Sequence, residues 1–209
     1  MEIYIPAGKT TLTGNLHIPT KAQGIVLFAH GSGSSRLSPR NQFVAKHLEQ
    51  AGLATLLIDL LDEQEGREDE RTRALRFNIP HLAERLHQIT SWLSKEHKQL
   101  KIGCFGASTG AAAALVAAAI KGCPVKAIVS RGGRPDLAGV ALSKVSVPTL
   151  LIVGGDDTEV IALNREALAQ LHCEKKLVIV PRATHLFEEP GALEQVATLA
   201  RDWFLKYLS

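Results

Sequence analysis

The sequence predicts an α/β fold: a doubly wound, mostly parallel sheet with helices on both faces, opened by an antiparallel hairpin. Three observations lead there. From about Gly24 to the end, short apolar runs alternate with runs of helical periodicity, the pattern of a parallel sheet with crossover helices. The opening MEIYIPAGKTTLTGNLHIP holds two strand-like runs around Ala7–Lys9, as an antiparallel pair at a sheet edge does. The chain has 209 residues, 45% hydrophobic and 22% charged. A chain of that size buries its own core without disulfides or a structural metal. No repeat, low-complexity linker or composition break divides it, so residues 1–209 are read as one domain.

After the hairpin, Ile25 to Ala29 is an apolar run ending in a glycine loop, as a buried central strand does. Ser38-Pro39 reads as an N-cap with proline at N1. The helix carries Phe43, Val44, Leu48 and Ala51 on one face and stops at Gly52. LATLLIDL is the next buried strand. The mixed run DEQEGREDERTR, from Asp62 to Arg73, reads as a solvated loop or frayed helix, with a rim over the site as the other reading. Asn78 and Pro80 open a helix bearing Leu82, Leu86, Ile89 and Leu93. Lys101 to Phe105 is a strand, GASTG a turn, and Ala111 to Ile120 an alanine-rich helix. VKAIVSRGG, PTLLIVGGDD and KKLVIVP supply three more strands, with helices near Thr158–Leu171 and Pro190–Leu208.

Composition excludes several classes. A net charge of +3 without a basic cluster argues against nucleic acid. The longest apolar run, Ala111 to Ile120, is well short of the ~18 residues of a membrane span. Cys104, Cys123 and Cys173 are odd in number, scattered and in no CxxC pair, so neither a disulfide framework nor a zinc site is expected. The remaining histidines form no HExxH pair, and no metal or cofactor is expected. MEIYIPAGKT lacks a signal-peptide pattern, and a reducing cytoplasm fits the free thiols.

The chemistry is carried by residues just beyond strand ends. Gly106-Ala107-Ser108-Thr109-Gly110 fits Gly-x-Ser-x-Gly, with an apolar strand before it and a helix after it. A serine on such a turn is strained and held with its hydroxyl exposed above the sheet. At its ordinary pKa it needs a base and an orienting acid. His185, after the last strand, is the candidate base. Asp156 and Asp157, after the preceding strand, are the candidate acids. The order Ser, Asp, His is that of the α/β-hydrolase fold. His30-Gly31-Ser32-Gly33 follows the first central strand, where that fold places an oxyanion donor. The expected donors are the backbone N–H groups of Thr109 and Ser32. Asp59 also ends a strand, where a structural hydrogen-bonding role is expected.

With LFAHGSGSS, GCFGASTG, LLIVGGDDTEV and PRATHLFEEPG in place, the chain resembles the α/β-hydrolases, and among them the small dienelactone hydrolase-like branch. The resemblance runs from about Gly24 to Leu208. It implies that the acid stands three residues before a valine, which selects Asp157, before Val160, over Asp156. It departs at the nucleophile: dienelactone hydrolases proper use cysteine, and this turn has Ser108. Cys104 lies four residues earlier inside the strand, a packing position. The dienelactone substrate therefore does not carry over. What the resemblance implies is an esterase-like serine hydrolase of small ester-type substrates. A thioesterase or acyltransferase, or a non-catalytic hydrolase-fold binding protein, are the alternatives. A Rossmann or P-loop protein is disfavoured, because GCFGASTG has no Lys before its Ser/Thr and GSGSSR lacks the third glycine.

Two further expectations concern access and specificity. Only RPDLAGVALSKVSVP separates VKAIVSRGG from the next strand, so no cap domain fits there. An open, shallow site for short acyl groups is expected. Arg36 and Arg40 follow the oxyanion loop, and Arg131 and Arg134 follow the strand after the nucleophile. Guanidinium matches carboxylate and phosphate with two-pronged geometry, so this cluster could hold an anionic part of the substrate. The alternative is that the arginines pair with acids nearby, such as the Asp62–Glu70 run.

Overall fold

The computed structural model describes all 209 residues. Eight strands form one sheet: β1 (Glu2–Ala7), β2 (Thr10–His17), β3 (Gly24–Ala29), β4 (Ala54–Ile58), β5 (Lys101–Ala107), β6 (Val125–Arg131), β7 (Thr149–Gly154) and β8 (Lys175–Val180). Their spatial order is β1-β2-β4-β3-β5-β6-β7-β8. β1 and β2 pair antiparallel, β2 joins β4 antiparallel, and all later pairings are parallel. The hairpin sits at the edge because β2 buries alternate residues only, whereas β3, β4 and β7 are buried along their whole length.

The helices are α1 (Pro39–Gln50), α2 (Glu63–Thr72), α3 (Ile79–Glu96), α4 (Thr109–Ala118), α5 (Thr158–Gln170) and α6 (Ala192–Leu208). As the sequence predicts, Ser38 caps α1 and Asn78 caps α3. α1 and α6 cover one face of the sheet, over Val26, Phe28, Phe105 and Val129. α3, α4 and α5 belong to the other face, where the core includes Leu27, Ile102, Ile128 and Leu151. α4 is buried almost all round, which its alanines allow: small side chains let it lie between the sheet and α3. No helix is long and apolar enough to cross a membrane.

Two segments differ from expectation. Asp62–Arg73 is neither loop nor frayed helix. Asp62 caps α2 with a full capping box: it accepts from the Glu65 N–H at 2.8 Å, and Glu65 accepts from the Asp62 N–H at 3.0 Å. Further on, buried Asp69 accepts from Arg76 Nε at 2.6 Å and from the Leu75 and Arg76 amides, closing α2 onto a short 3₁₀ turn, Leu75–Phe77. Capping and this anchor hold a helix with almost no apolar face, so its charge pattern alone misleads. Between β6 and β7 there is no cap domain, only 3₁₀ turns over Pro135–Lys144 kinked at Gly139.

The strand order sets the position of the site. From β3 the chain moves outward to β4, then returns to the other side of β3 to make β5. That reversal opens a crevice at the carboxyl ends of β3 and β5, where open α/β sheets bind ligands. The loop at Gly31 and the turn at Ser108 leave the sheet there.

Candidate active site

Ser108 occupies the turn between β5 and α4 with φ +49° and ψ −121°. A non-glycine residue in that region costs roughly 1–3 kcal/mol and persists only where its surroundings enforce it. Here the Ser108 N–H donates to Arg131 O at 3.3 Å, and Ser108 O accepts from Ala111 N and Arg134 N, each at 3.1 Å. The two glycines of the motif allow the close packing this needs. A Cβ on Gly106 would lie 2.4 Å from Ala111 Cα, and one on Gly110 would lie 2.3 Å from Ala29 O. Ser108 stands at the N-cap of α4, but its side chain caps no amide. Its oxygen therefore stays free above the helix N-terminus, whose partial positive charge favours a developing anion.

Asp157 is the N-cap of α5, yet its carboxylate also makes no capping bond. It turns instead to His185, with Oδ2 2.7 Å from Nδ1. Asp156, expected to cap the helix or turn the chain, is exposed, and its amide donates to Ala183 O at 3.0 Å. The Asp157 bond places the proton on Nδ1 and leaves Nε2 as the accepting nitrogen. The imidazole is 40% exposed and the carboxylate 16%, so the ring can meet a ligand while the acid stays sheltered. Backbone glycines border both groups: a Cβ on Gly31 would lie 3.1 Å from Ser108 Cβ, and one on Gly132 3.6 Å from His185 Cε1. No hydrogen bond joins Ser108 Oγ to His185, an arrangement common in ligand-free sites that tighten on binding.

The Thr109 N–H is the first of α4 and the Ser32 N–H lies in the β3 loop; neither has an acceptor. Sequence reasoning missed what holds that loop. His30 Nε2 accepts from the Leu60 N–H at 3.1 Å, so its proton is on Nδ1, which donates to Gly31 O at 2.9 Å. Burial lowers the His30 pKa below the ordinary imidazole value and keeps this neutral brace between the β3 and β4 loops. The signal available was the histidine ending an apolar strand ahead of glycine.

The four arginines do not converge. Arg36 is committed to Asp59, through Nη1 at 2.5 Å and its amide at 2.7 Å, and to Glu2 at 2.8 Å. Arg134 pairs with Asp136 at 2.8 Å, and Arg40 with Glu188 at 3.1 Å. None of these partners comes from the Asp62–Glu70 run. Arg131 alone has no acidic partner: it is 7% exposed, and Nε and Nη1 are buried without an acceptor. Burial, with Arg40 adding repulsion, pulls its pKa down to about 10. Cys104 is buried in β5, and burial raises its thiol pKa, so packing is its role.

His185 itself is open to solvent, its side chain 40% exposed, and a pocket adjoins the site. A cavity of about 920 Å³ opens beside the two free amides, bounded by the hairpin, the β3 loop and α2. The charged segment therefore forms one wall of a pocket beside the β3 loop.

The comparisons agree with this architecture. Residues 12–208 match the model of the Dienelactone hydrolase family. A crystal structure of a dienelactone hydrolase from Anabaena variabilis is 61% identical, with a TM-score of 0.98 over 100% of this chain and 98% of that one. Est1E from Butyrivibrio proteoclasticus, 17% identical, shares the fold at a TM-score of 0.80, covering 98% of each chain. Two proteins of Mycobacterium tuberculosis, provisionally named phosphoribosyl transferases, are 56% identical over 209 residues, 99% of this chain but 46% of theirs. That name belongs to chains about twice as long. With the α/β-hydrolase fold and the family match covering nearly the whole sequence, this chain belongs to the dienelactone hydrolase family.

Proposed function

We propose that the protein hydrolyses a carboxylic ester, lactone or thioester through an acyl intermediate on Ser108. The observation that carries this reading is the Asp157–His185 pair at 2.7 Å on the same sheet edge as a strained, uncapped serine. His185 Nε2 takes the proton as Ser108 Oγ attacks the carbonyl carbon. The oxyanion is met by the Thr109 and Ser32 amides, each such donor being worth ~10²–10³ in kcat. His185 then gives the proton to the leaving group as its bond breaks. Water, deprotonated by His185, attacks the acyl carbon, and Ser108 leaves with the proton. Asp157 holds the ring and stabilises its cation throughout.

Two features favour a working site over an inert relative of the fold. Asp157 forgoes a helix cap worth about 1 kcal/mol, and Ser108 keeps a costly backbone conformation. The 40% exposure of His185 lets water reach the centre, which favours hydrolysis over transfer to another acyl acceptor. The test is labelling by a fluorophosphonate probe and turnover of p-nitrophenyl acetate. Both should vanish in Ser108→Ala while the fold persists. Retained turnover in that variant would remove the assignment.

An acid group on the substrate is a second reading, and it now rests on Arg131 alone. A buried guanidinium without a counter-ion is expensive, and an incoming carboxylate would supply one. Arg131 pairs with Ala107 in the sheet, next to the nucleophile. Replacing it with Met should abolish any preference for an ester carrying a free carboxylate over its neutral analogue, mainly through KM. Equal kcat/KM for the two esters in the unaltered protein would end this reading.

A further inference from the structure

The cavity beside the oxyanion amides has an unusual lining. Ligand pockets of about 300–1,000 Å³ are ordinarily walled by apolar and aromatic side chains. This one, about 920 Å³, has five hydrophobic residues among 25. It adjoins the proposed oxyanion amides, because Gly31, Ser32 and Thr109 form part of its wall; Ser108 and His185 do not line it. Arg131 is not in that wall.

Its positive charges are already spent. Arg36 is held by Asp59 and Glu2, Arg76 by Asp69, and Arg67 by Glu63. Carboxylates in the wall outnumber these three arginines, and no cation is left over. An anionic group entering here would meet excess negative charge. An aliphatic or aromatic group would displace water from polar walls and gain little in return.

Beside those carboxylates, which can accept from a ligand hydroxyl, what remains available is hydroxyl. Thr11 and Thr13 project from β2, Ser32 and Ser34 from the β3 loop, and none of their hydroxyls has a partner within the protein. Each hydroxyl can both donate and accept, and so can each hydroxyl of a polyol. Facing walls of this kind match a ligand carrying several hydroxyls on one face and another.

We propose that this cavity binds the uncharged, hydroxyl-rich part of the ester, so that the substrate is an acylated sugar or polyol. The proposal rests on the ester-hydrolase reading of Ser108 and adds the class of alcohol to it. The alcohol lies along β2 and the β3 loop, and the acyl carbonyl lies at Ser108.

The test compares methyl 6-O-acetyl-glucoside with cyclohexylmethyl acetate. Both carry an acetyl group on a ring methylene, and only the first carries hydroxyls. The expected result is a preference for the sugar ester of about tenfold or more in kcat/KM, since two or three net hydrogen bonds of central strength between neutral groups exceed that factor. In Thr11→Val/Thr13→Val, which keeps shape and strand propensity, the ratio should fall several-fold toward one. An equal or reversed preference in the unaltered protein, or an unchanged ratio in the variant, overturns the proposal. Binding gives a readout that does not need turnover. Ligand-observed NMR on Ser108→Ala should show contact with methyl glucoside, lost in the added valine pair, and none with cyclohexylmethanol. Absent glucoside binding overturns the polyol site even where p-nitrophenyl acetate is hydrolysed. Absent Ser108-dependent hydrolysis with glucoside bound overturns the enzyme reading and leaves the site standing.

Discussion

Asp157→Asn is the sharpest test of the site, because it changes one proton and one charge in nearly the same volume. In the native site Oδ2 lies 2.7 Å from His185 Nδ1. An asparagine there can turn its amide nitrogen toward Nδ1, which must then accept. The ring proton moves to Nε2, and the ring can no longer take the serine proton. The imidazolium formed during attack also loses its counter-charge. At an effective dielectric of about 20, two charges 4 Å apart interact by ~4 kcal/mol, so the charge term alone is large. The equivalent change in a Ser-His-Asp protease lowers kcat about 10⁴-fold, or roughly 5.4 kcal/mol at the barrier. We expect a similar loss here, measured as kcat on p-nitrophenyl acetate at neutral pH. Thermal stability should barely change, since the carboxylate caps nothing on α5. Asp156→Asn is the control. Asp156 is exposed and engages the structure only through its backbone amide, so that variant should keep nearly full activity. If Asp157→Asn stays within tenfold of the unaltered protein, Asp157 does not orient His185 in the reaction and the mechanism above is wrong.

Two further predictions concern the frame around the site. Gly110→Ala puts a methyl 2.3 Å from Ala29 O and 2.5 Å from His30 O, both backbone. The end of β3 must shift, so activity should fall at least tenfold, with a stability loss in the ~1–3 kcal/mol range of overpacking; unimpaired activity would show the contact to be soft. Asp69 supplies a pH dependence. Its burial favours the neutral acid, but the Arg76 amide and guanidinium and the Leu75 amide outweigh it and hold its pKa below the ordinary 3.8. The unfolded chain then binds the proton more readily, so the Asp69 contribution is complete above about pH 4–5 and lost as pH falls through the native value. Asp69→Asn should cost roughly 1–3 kcal/mol at neutral pH, as loss of hydrogen bonds to a charged group does, because Arg76 stays partly exposed; it should also flatten the acid limb of a Tm-against-pH curve. An unaltered acid limb would place the sensitivity elsewhere.

Which features were legible in the sequence follows from how local their causes are. The alternation of buried strands with helices, the caps at Ser38 and Asn78, and the glycine-flanked Ser108 turn are each written within a few consecutive residues. The order Ser108, Asp157, His185 needs only the rule that a parallel sheet delivers all its carboxyl ends to one edge. Partnerships across the fold carry no such signature. Arg36 finds Glu2 and Asp59 34 and 23 positions away, and Arg40 finds Glu188 148 positions away. Loop arginines therefore looked like one cluster when their sheet-edge position was known and their acids were not.

The charged segment shows the same limit from the other side, and it bears on substrate choice. Read alone, DEQEGREDERTR lacks an apolar face to dock, so a solvated helix or loop is the natural expectation. What folds it down is polar: Asp69 to Arg76, Glu65 to Arg85 at 2.7 Å, and Asp62 to Thr10 at 2.5 Å. The pairing of Arg76, like that of Arg36 and Arg67, consumes the cations that would otherwise recognise an anionic substrate. A wall built this way is left with hydroxyls, paired ions and surplus carboxylate acceptors. The missing apolar face, which made the segment hard to place, is thus also the reason the pocket it encloses suits a neutral polar ligand.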